Sequence, residues 1–216
     1  MKKFILILAA GLISIFVLGT IPATACVAPL LDYDYGDVPD PLYPTLLAND
    51  GARHGISNLY LGAGVDTEPD GLPSASADAD VDDGVSFTNI WVQGSLKYMD
   101  VTSSGTGYLN AWVDFNIDGD WADAGEQIFV NQSLVAGTTT LSVPVPVVAV
   151  LGDTYARFRL DSDGGLDFTG PAFDGEVEDY RVEITSPVPV PASLVLLGMG
   201  LLGFAGLSRK KMTHLK

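Results

Sequence analysis

The sequence predicts an all-β protein: a β-sandwich of about seven or more strands carrying a long loop-rich N-terminal segment. A signal peptide precedes it, and one short C-terminal transmembrane helix follows it. Three observations carry this expectation. Beyond Val85 the chain is a succession of short β-branched and aromatic runs punctuated by Gly, Asn, Asp and Ser. No helical periodicity competes with them in that half. The two ends are uncharged apolar runs with basic flanks, unlike the acidic chain between them.

The chain opens MKKFILILAAGLISIFVLGTIPATAC. Lys2 and Lys3 precede an apolar stretch from Phe4 to Leu18, and small residues follow at Ala23-Thr24-Ala25. This is the pattern of a secretory signal peptide over residues 1–25, cleaved at an A-x-A site formed by Ala23 and Ala25. The shortness of the apolar run and its small flank argue against a permanent N-terminal anchor. Cys26 is the one cysteine in the chain, so no internal disulfide braces the exported part. Lipidation of Cys26 is a minor alternative, because Ala23 stands where a lipobox usually has Leu.

Residues 26–186 form one domain-sized piece. It holds all 27 Asp and Glu and only five basic residues (Arg53, Lys97, Arg157, Arg159 and Arg181), a net charge of −22. That balance excludes nucleic acid and anionic phospholipid as partners, since binding phosphate needs a basic face. It also means strong self-repulsion unless counter-ions sit among the carboxylates. The acids gather in a few loops, which points to divalent cations.

From Asp32 to Gly84 the stretches DYDYGDVPD, GARHGI, LGAGVDTEPDG and DADVDDGV read as turns and short extended pieces laid over a core built elsewhere. The strands follow: VSFTNIWV, LKYMDVT, GYLNAWVDF, QIFV, TTTLSVPVPV, TYARFRL and VEDYRVEI. In the third, Leu109, Ala111 and Val113 alternate with Tyr108, Asn110 and Trp112, giving a buried face and a more polar one. Pro144 and Pro146 make the 138–148 segment an edge strand or a bulged one. Seven such runs with turns between them predict a sandwich.

The stretch DFNIDGDWADAGE, Asp114 to Glu126, imitates an EF-hand calcium loop. Asp114, Asn116, Asp118 and Gly119 fill its first, third, fifth and sixth positions, and Asp120 its seventh. The twelfth position is Gly125, with Glu126 one residue late, and the flanks are strand-like where an EF-hand has helices. The expectation is a β-hairpin loop clamping calcium through Asp114, Asn116, Asp118 and Asp120, with Asp123 or Glu126 closing the shell. A solvated acidic turn is the alternative. Zinc is disfavoured, because the exported domain has one histidine, His54, and one terminal cysteine. A second, less specific cluster is Asp161, Asp163 and Asp167.

In GEVEDY, Glu176, Glu178 and Tyr180 share one face of a strand, with Val177, Asp179 and Arg181 on the other. Glu176 and Glu178 would lie about 6.5–7 Å apart at Cα, a separation glycosidase carboxylates also show. A structural role is favoured: carboxylates beside a cation loop, or paired with Arg157, Arg159 or Arg181. No G-x-S-x-G, zinc motif or phosphate loop is present, and His54 is isolated, so the chain is expected not to be an enzyme.

The C-terminal stretch SPVPVPASLVLLGMGLLGFAGLSRKKMTHLK begins with a stiff spacer of Pro187, Pro189 and Pro191. Ala192 to Leu207 is apolar and uncharged, and Arg209, Lys210 and Lys211 follow. Sixteen helical residues span about 24 Å, short of the ~30 Å hydrocarbon core but tolerated by local thinning and snorkelling. The basic flank puts this end in the cytoplasm and the acidic domain outside. Residues 187–216 resemble the PEP-CTERM sorting tails, with V-P-V-P-A-S as a variant motif in which Val190 replaces the usual Glu. The resemblance implies a sorting peptidase of the inner membrane as a partner, acting through the sorting residues Pro189, Pro191, Arg209, Lys210 and Lys211.

GEVEDYRVEI, preceded in order by DYGDVPD, GARHGI, LGAGVDTEPDG, DADVDDGV, GYLNAWVDFNIDGDWADAGEQI and YARFRLDSDGGLDFTGPAFDGEVEDY, resembles the bacterial GEVED domain family across residues 32–184. That resemblance implies an extracellular β-rich module of surface and adhesin-like proteins, with no enzymatic activity attached. The expected function is therefore an exported, calcium-stabilised module with an adhesion or structural role, first membrane-anchored through residues 192–207, then at the cell surface or in the matrix. Two alternatives stand beside it. One is an exopolysaccharide-binding module using Trp91, Trp112, Trp121, Tyr98 and Tyr108, with Trp121 the best exposed candidate. The other is a glycan hydrolase using Glu176 and Glu178.

Overall fold

A computed structural model describes residues 32–188; the expected signal peptide and the 192–207 helix lie outside the described residues. Within them are one 3₁₀ turn, Leu47–Asn49, and eleven strands. These are β1 (Tyr33–Tyr35), β2 (Arg53–Gly55), β3 (Val85–Phe87), β4 (Trp91–Val92), β5 (Leu96–Ser103) and β6 (Gly107–Val113). They continue with β7 (Gln127–Leu134), β8 (Gly137–Pro144), β9 (Gly152–Asp161), β10 (Pro171–Ala172) and β11 (Glu176–Thr185). A five-stranded sheet, β4-β11-β9-β6-β7, packs on a three-stranded sheet, β3-β5-β8. A third, small sheet is ordered β1-β2-β10.

Period-two alternation builds the sandwich core. Leu109, Ala111 and Val113 on β6 face inward beside Ala156, Phe158 and Leu160 on β9, paired as Leu109–Leu160 and Ala111–Phe158. Met99, Val101 and Val143 of the smaller sheet close over them. β8 is an edge strand that ends at Pro144, where the missing N–H stops the ladder.

Three sequence expectations are corrected here. VSFTNIWV is not one strand: Val85–Phe87 pairs with β5 in the smaller sheet, whereas Trp91–Val92 runs parallel to β11 in the larger one. The chain changes sheets at Asn89–Ile90, which alternation alone does not reveal. The third sheet was expected only as turns and extended pieces. Finally, the more polar face of β6 is not open to water, since Asn110 and Trp112 are both buried. The segment from Asp32 to Gly84 covers that face, and Val38, Tyr43 and Ala77 pack there on Trp112 and Trp121. The middle of the larger sheet, from Leu109 to Val113 on β6, Ala156 to Asp161 on β9 and Glu176 to Asp179 on β11, is thus buried on both sides.

Candidate functional site

Register on β11 decides where each acid of the GEVED stretch points. Glu176, Glu178 and Tyr180 lie opposite Leu160, Phe158 and Ala156, on the sandwich side. Val177 and Asp179 lie opposite Arg159 and Arg157, under the N-terminal layer. Each of the three acids grips the backbone of that layer. Glu176 accepts the Leu61 N–H. Glu178 Oε1 accepts the N–H groups of Asp83 (3.1 Å) and Gly84 (2.7 Å), and its Oε2 accepts the Tyr180 hydroxyl (3.0 Å). Asp179 Oδ2 accepts from the N–H groups of Asp37 (2.8 Å) and Val38 (3.2 Å), while Arg157 holds both its oxygens at 2.8 Å.

The layer answers with acids of its own. Asp34 accepts the Val177 N–H (2.7 Å) and Asp82 the Asp179 N–H (2.8 Å), so the free edge of β11 is hydrogen-bonded by carboxylates instead of a strand. Glu68 accepts the Tyr35 N–H (3.1 Å). Four motifs distant in sequence, DYGDVPD, LGAGVDTEPDG, DADVDDG and GEVED, thereby meet in one seam. Ligand oxygens of Asp34, Glu68 and Asp80 lie there within 4.8 Å of one another.

The seam is electrostatically incomplete. Burial, reinforced by neighbouring carboxylates, pushes Asp34 well above the carboxylate range, Glu68 to about 7, Asp80 to about 8, and Asp82 and Glu176 to about 10. Asp37 rises to about 7 through burial and the charge of Asp179. Asp37 Oδ1 and Asp82 Oδ2 are buried and meet no donor among the described residues. Arg157 is spent on Asp179. Arg159, though buried nearby, donates to the carbonyls of Asp167 (2.5 Å), Thr169 (2.6 Å) and Gly170 (2.8 Å) and to His54 Nε2 (3.0 Å). Burial and the Arg159 charge hold His54 neutral, well below its ordinary value, and its Nδ1–H faces the Asp174 carbonyl at 2.8 Å. His54 is therefore a structural hydrogen-bonding residue.

The 114–126 loop divides its acids between inside and outside. Asp114 is buried, accepting the Tyr43 hydroxyl (2.6 Å) and the Gly119 N–H (3.1 Å) on Oδ2 and the Ile117 N–H (2.6 Å) on Oδ1. Glu126 is buried too, accepting the N–H groups of Phe115 (3.1 Å) and Asp123 (3.3 Å); burial and Asp114 raise it to about 7. At the surface the Asn116 amide joins Asp118 (2.9 Å) to Asp123 (2.6 Å), an arrangement in which an NH2 group bridges two carboxylates. Asp120 caps Ala122 N–H at 2.8 Å. The loop thus brings Asn116, Asp118 and Asp123 together and sends Asp120 aside.

In the second cluster, Asp161 is buried and caps Gly164 N–H with both oxygens at 3.0 Å, and Asp167 caps Phe168 N–H at 2.7 Å. Asp163 is exposed. Two site expectations change. Trp121 is not exposed but 2 % accessible, wedged against Tyr43 (4.7 Å between centroids) with the Arg157 guanidinium 4.9 Å above its ring. An indole whose N–H reaches the Tyr155 carbonyl (3.2 Å) belongs to the layer's core, and the apparent exposure came from the acidic residues around it in sequence. Trp91 and Trp112 are buried as well, which leaves Tyr98 and Tyr108 as the exposed aromatics of the five considered for sugar stacking. Second, Glu176 and Glu178 do share a face, yet both are buried and bonded to backbone, and Asp179 rather than either glutamate pairs with arginine.

The seam residues Asp34, Asp37, Glu68, Asp80 and Asp82 were legible only as turn-forming acids. Their one advance signal was the alternation of Asp78, Asp80 and Asp82, which suits a strand-like strap presenting acids to one side.

No curated protein and no solved structure matches this chain. Two family models do, over consecutive stretches: the GEVED domain over residues 108–183 and the PEP-CTERM protein-sorting motif over residues 187–210. The first begins at β6, so the N-terminal layer precedes the matched region and is clasped by its last strand. The second covers the proline spacer, the apolar run and the basic flank, and implies a transient C-terminal membrane anchor and export through the inner membrane. From β6 to the basic flank, the chain is thus similar to a GEVED domain followed by a PEP-CTERM sorting motif.

Proposed function

We propose that the exported domain is a calcium-stabilised β-sandwich module with an adhesive or structural role at the cell surface or in the extracellular matrix. The observation that carries this reading is the seam, where acids from four motifs converge with one arginine among them and two buried carboxylate oxygens lack any partner among the described residues. Hard oxygen ligands in a flexible shell suit calcium, whereas zinc wants imidazole or thiolate and magnesium a stricter octahedron. Asp34, Glu68 and Asp80 would hold the ion, with Asp37 and Asp82 beside it. A bound calcium supplies the positive charge that the seam's own side chains do not. The protein's part is to orient the carboxylates by backbone N–H donors and to keep bulk water out of the seam.

The 114–126 loop offers a second seat through Asn116, Asp118 and Asp123, backed by Asp114 and Glu126. A structural module fits better than a catalyst, because Glu176 and Glu178 are committed to backbone donors. The sorting peptidase is the partner the tail implies; exopolysaccharide or a surface protein is the partner the domain itself would meet.

Calorimetry with millimolar calcium and again in excess EDTA tests the cation. Saturation at 100 times the dissociation constant adds ~2.7 kcal/mol, which for a domain of this size is a rise of roughly 5–10 °C in Tm. A Tm indifferent to calcium at constant ionic strength would reject the calcium reading.

A further inference from the structure

At one end of the sandwich, the turn between β8 and β9 holds its apolar side chains in solvent. Val147 is 75 % exposed and Val148 81 %, with Val150 and Leu151 also exposed. This turn is not loosely tied. Val145 N–H donates to the Ser95 carbonyl (2.8 Å), Gly94 N–H to the Val145 carbonyl (3.0 Å) and Val150 N–H to the Phe115 carbonyl (2.7 Å). A well-fixed turn that points four aliphatic side chains outward marks an interaction site.

Its position says what it meets. Gln93 links the turn to the end of β11, its N–H donating to the Thr185 carbonyl (2.9 Å) and its amide to the Ala149 carbonyl (2.8 Å). Gly152, directly after Leu151, pairs with Ile184. The apolar turn and the point where the chain leaves the domain therefore share one end. From Thr185, residues 186–191 lead to the apolar run that starts at Ala192, and three of those six are proline. Six residues reach no further than about 22 Å, whatever their conformation. The anchor implied by the sorting motif thus holds this end close to the bilayer.

We propose that Val147, Val148, Val150 and Leu151 form a membrane-contact loop, seated in the non-cytoplasmic leaflet of the membrane that holds the tail. The domain's charge of −22 opposes anionic headgroups, so the contact is apolar and does not depend on headgroup charge. A short tether raises the local concentration to the millimolar range, so a few aliphatic side chains suffice for a contact that a free domain would not make. The consequence is orientational: while the tail is anchored this end faces the membrane, and release frees it.

The test uses the full chain reconstituted in phosphatidylcholine vesicles, in a Cys26→Ser background. A bimane probe on Val148→Cys is compared with one on Val135→Cys, an exposed site at the opposite end of β8. The Val148 probe is expected to be quenched by shallow brominated lipids at least twofold more than the Val135 probe. With the probe moved to Leu151→Cys, Val147→Asp with Val148→Asp should abolish the quenching without lowering Tm, since both side chains are exposed. Equal quenching at Val148 and Val135 overturns the proposal. So does a blue shift at Val148 that grows with the protein-to-lipid ratio without lipid quenching, because the occupant is then a second copy of the chain.

Discussion

Glu178 is fully buried, and its oxygens accept two backbone N–H groups and a tyrosine hydroxyl. Its pKa is raised to about 7 by burial. What the site needs is the acceptor geometry more than the charge. Glu178→Gln should therefore stay within about 1 kcal/mol of the parent in urea unfolding, because an amide oxygen still accepts both N–H groups. Glu178→Ala should cost about 2–4 kcal/mol by orphaning them. Lys97 poses the opposite problem. It points from β5 into the core, with Nζ 4.8 Å from the Phe87 ring centre and 5.1 Å from that of Trp91, and no carboxylate reaches it among the described residues. Burial lowers its pKa from 10.5 to about 8. Between those values the unfolded chain holds a proton that folded Lys97 has lost, so the Lys97 contribution to stability rises with pH across that window, against the fall contributed by Asp82 and Glu176, whose protons are held up to about pH 10. Lys97→Met should remove that slope and stabilise the domain at pH 7 by about 1–2 kcal/mol, the cation–π contacts offsetting part of the gain. Chemical denaturation of the parent and the variant at pH 7, 8 and 9.5 reads both effects; a difference between the two that does not change with pH would show that Lys97 is not desolvated.

At the scale of elements, β11 joins the sandwich to the layer above it, and the Arg157–Asp179 pair is the joint. Both side chains are fully buried, and Arg157 also donates to the carbonyls of Pro44 (2.7 Å) and Phe168 (3.0 Å). Arg157→Met strands the Asp179 carboxylate and should cost about 3–5 kcal/mol. Adding Asp179→Asn, which removes the charge while its amide oxygen still accepts the Asp37 and Val38 N–H groups, should restore a good part of the loss, a coupling that a double-mutant cycle would measure. If the two single losses simply add, the pair is not a unit. This joint also marks how much was readable beforehand. Alternation located β5 to β9 and β11, and the prolines placed β8 at an edge, because those signals are local. The split of Val85–Val92 between two sheets was not readable, since Trp91 and Val85 look alike in sequence and are separated only by which neighbour each finds. Trp121 misled for the same reason: its neighbours in sequence are acids, whereas its neighbours in space are Tyr43, Phe168 and Arg157. The 114–126 loop stood out by its spacing, but the seam did not. Its ligands come from three segments, and nothing in any one of them fixes where the others lie.

For the whole molecule the dominating quantity is a charge of −22 on the exported piece. Two kinds of repulsion make it up, and they answer to different ions. Exposed acids are screened by any salt, over a Debye length of about 8 Å at 0.15 M that shrinks to ~3 Å at 1 M. The seam is out of reach of that atmosphere, because Asp34 and Asp37 are buried and Asp82 is pushed to about 10 mainly by burial. Sodium chloride should therefore raise the Tm of the EDTA-treated domain by a few degrees and then level off. Calcium at matched ionic strength should raise it further, and that excess belongs to the seats where calcium is bound directly. Asp34→Asn with Asp80→Asn separates the terms. Asn spares the metal-free fold the cost of taking up protons on two crowded, desolvated acids, so the metal-free variant should melt higher than the metal-free parent. The same change removes two ligands, so most of the calcium excess should vanish while the sodium response stays. A variant that keeps the full calcium excess would place the ion in the 114–126 loop instead, where Asp118→Asn with Asp123→Asn would then remove it. A variant that melts lower than the parent without metal would mean that the carboxylates stabilise the seam by their hydrogen bonds alone, and that a cation is not what closes it.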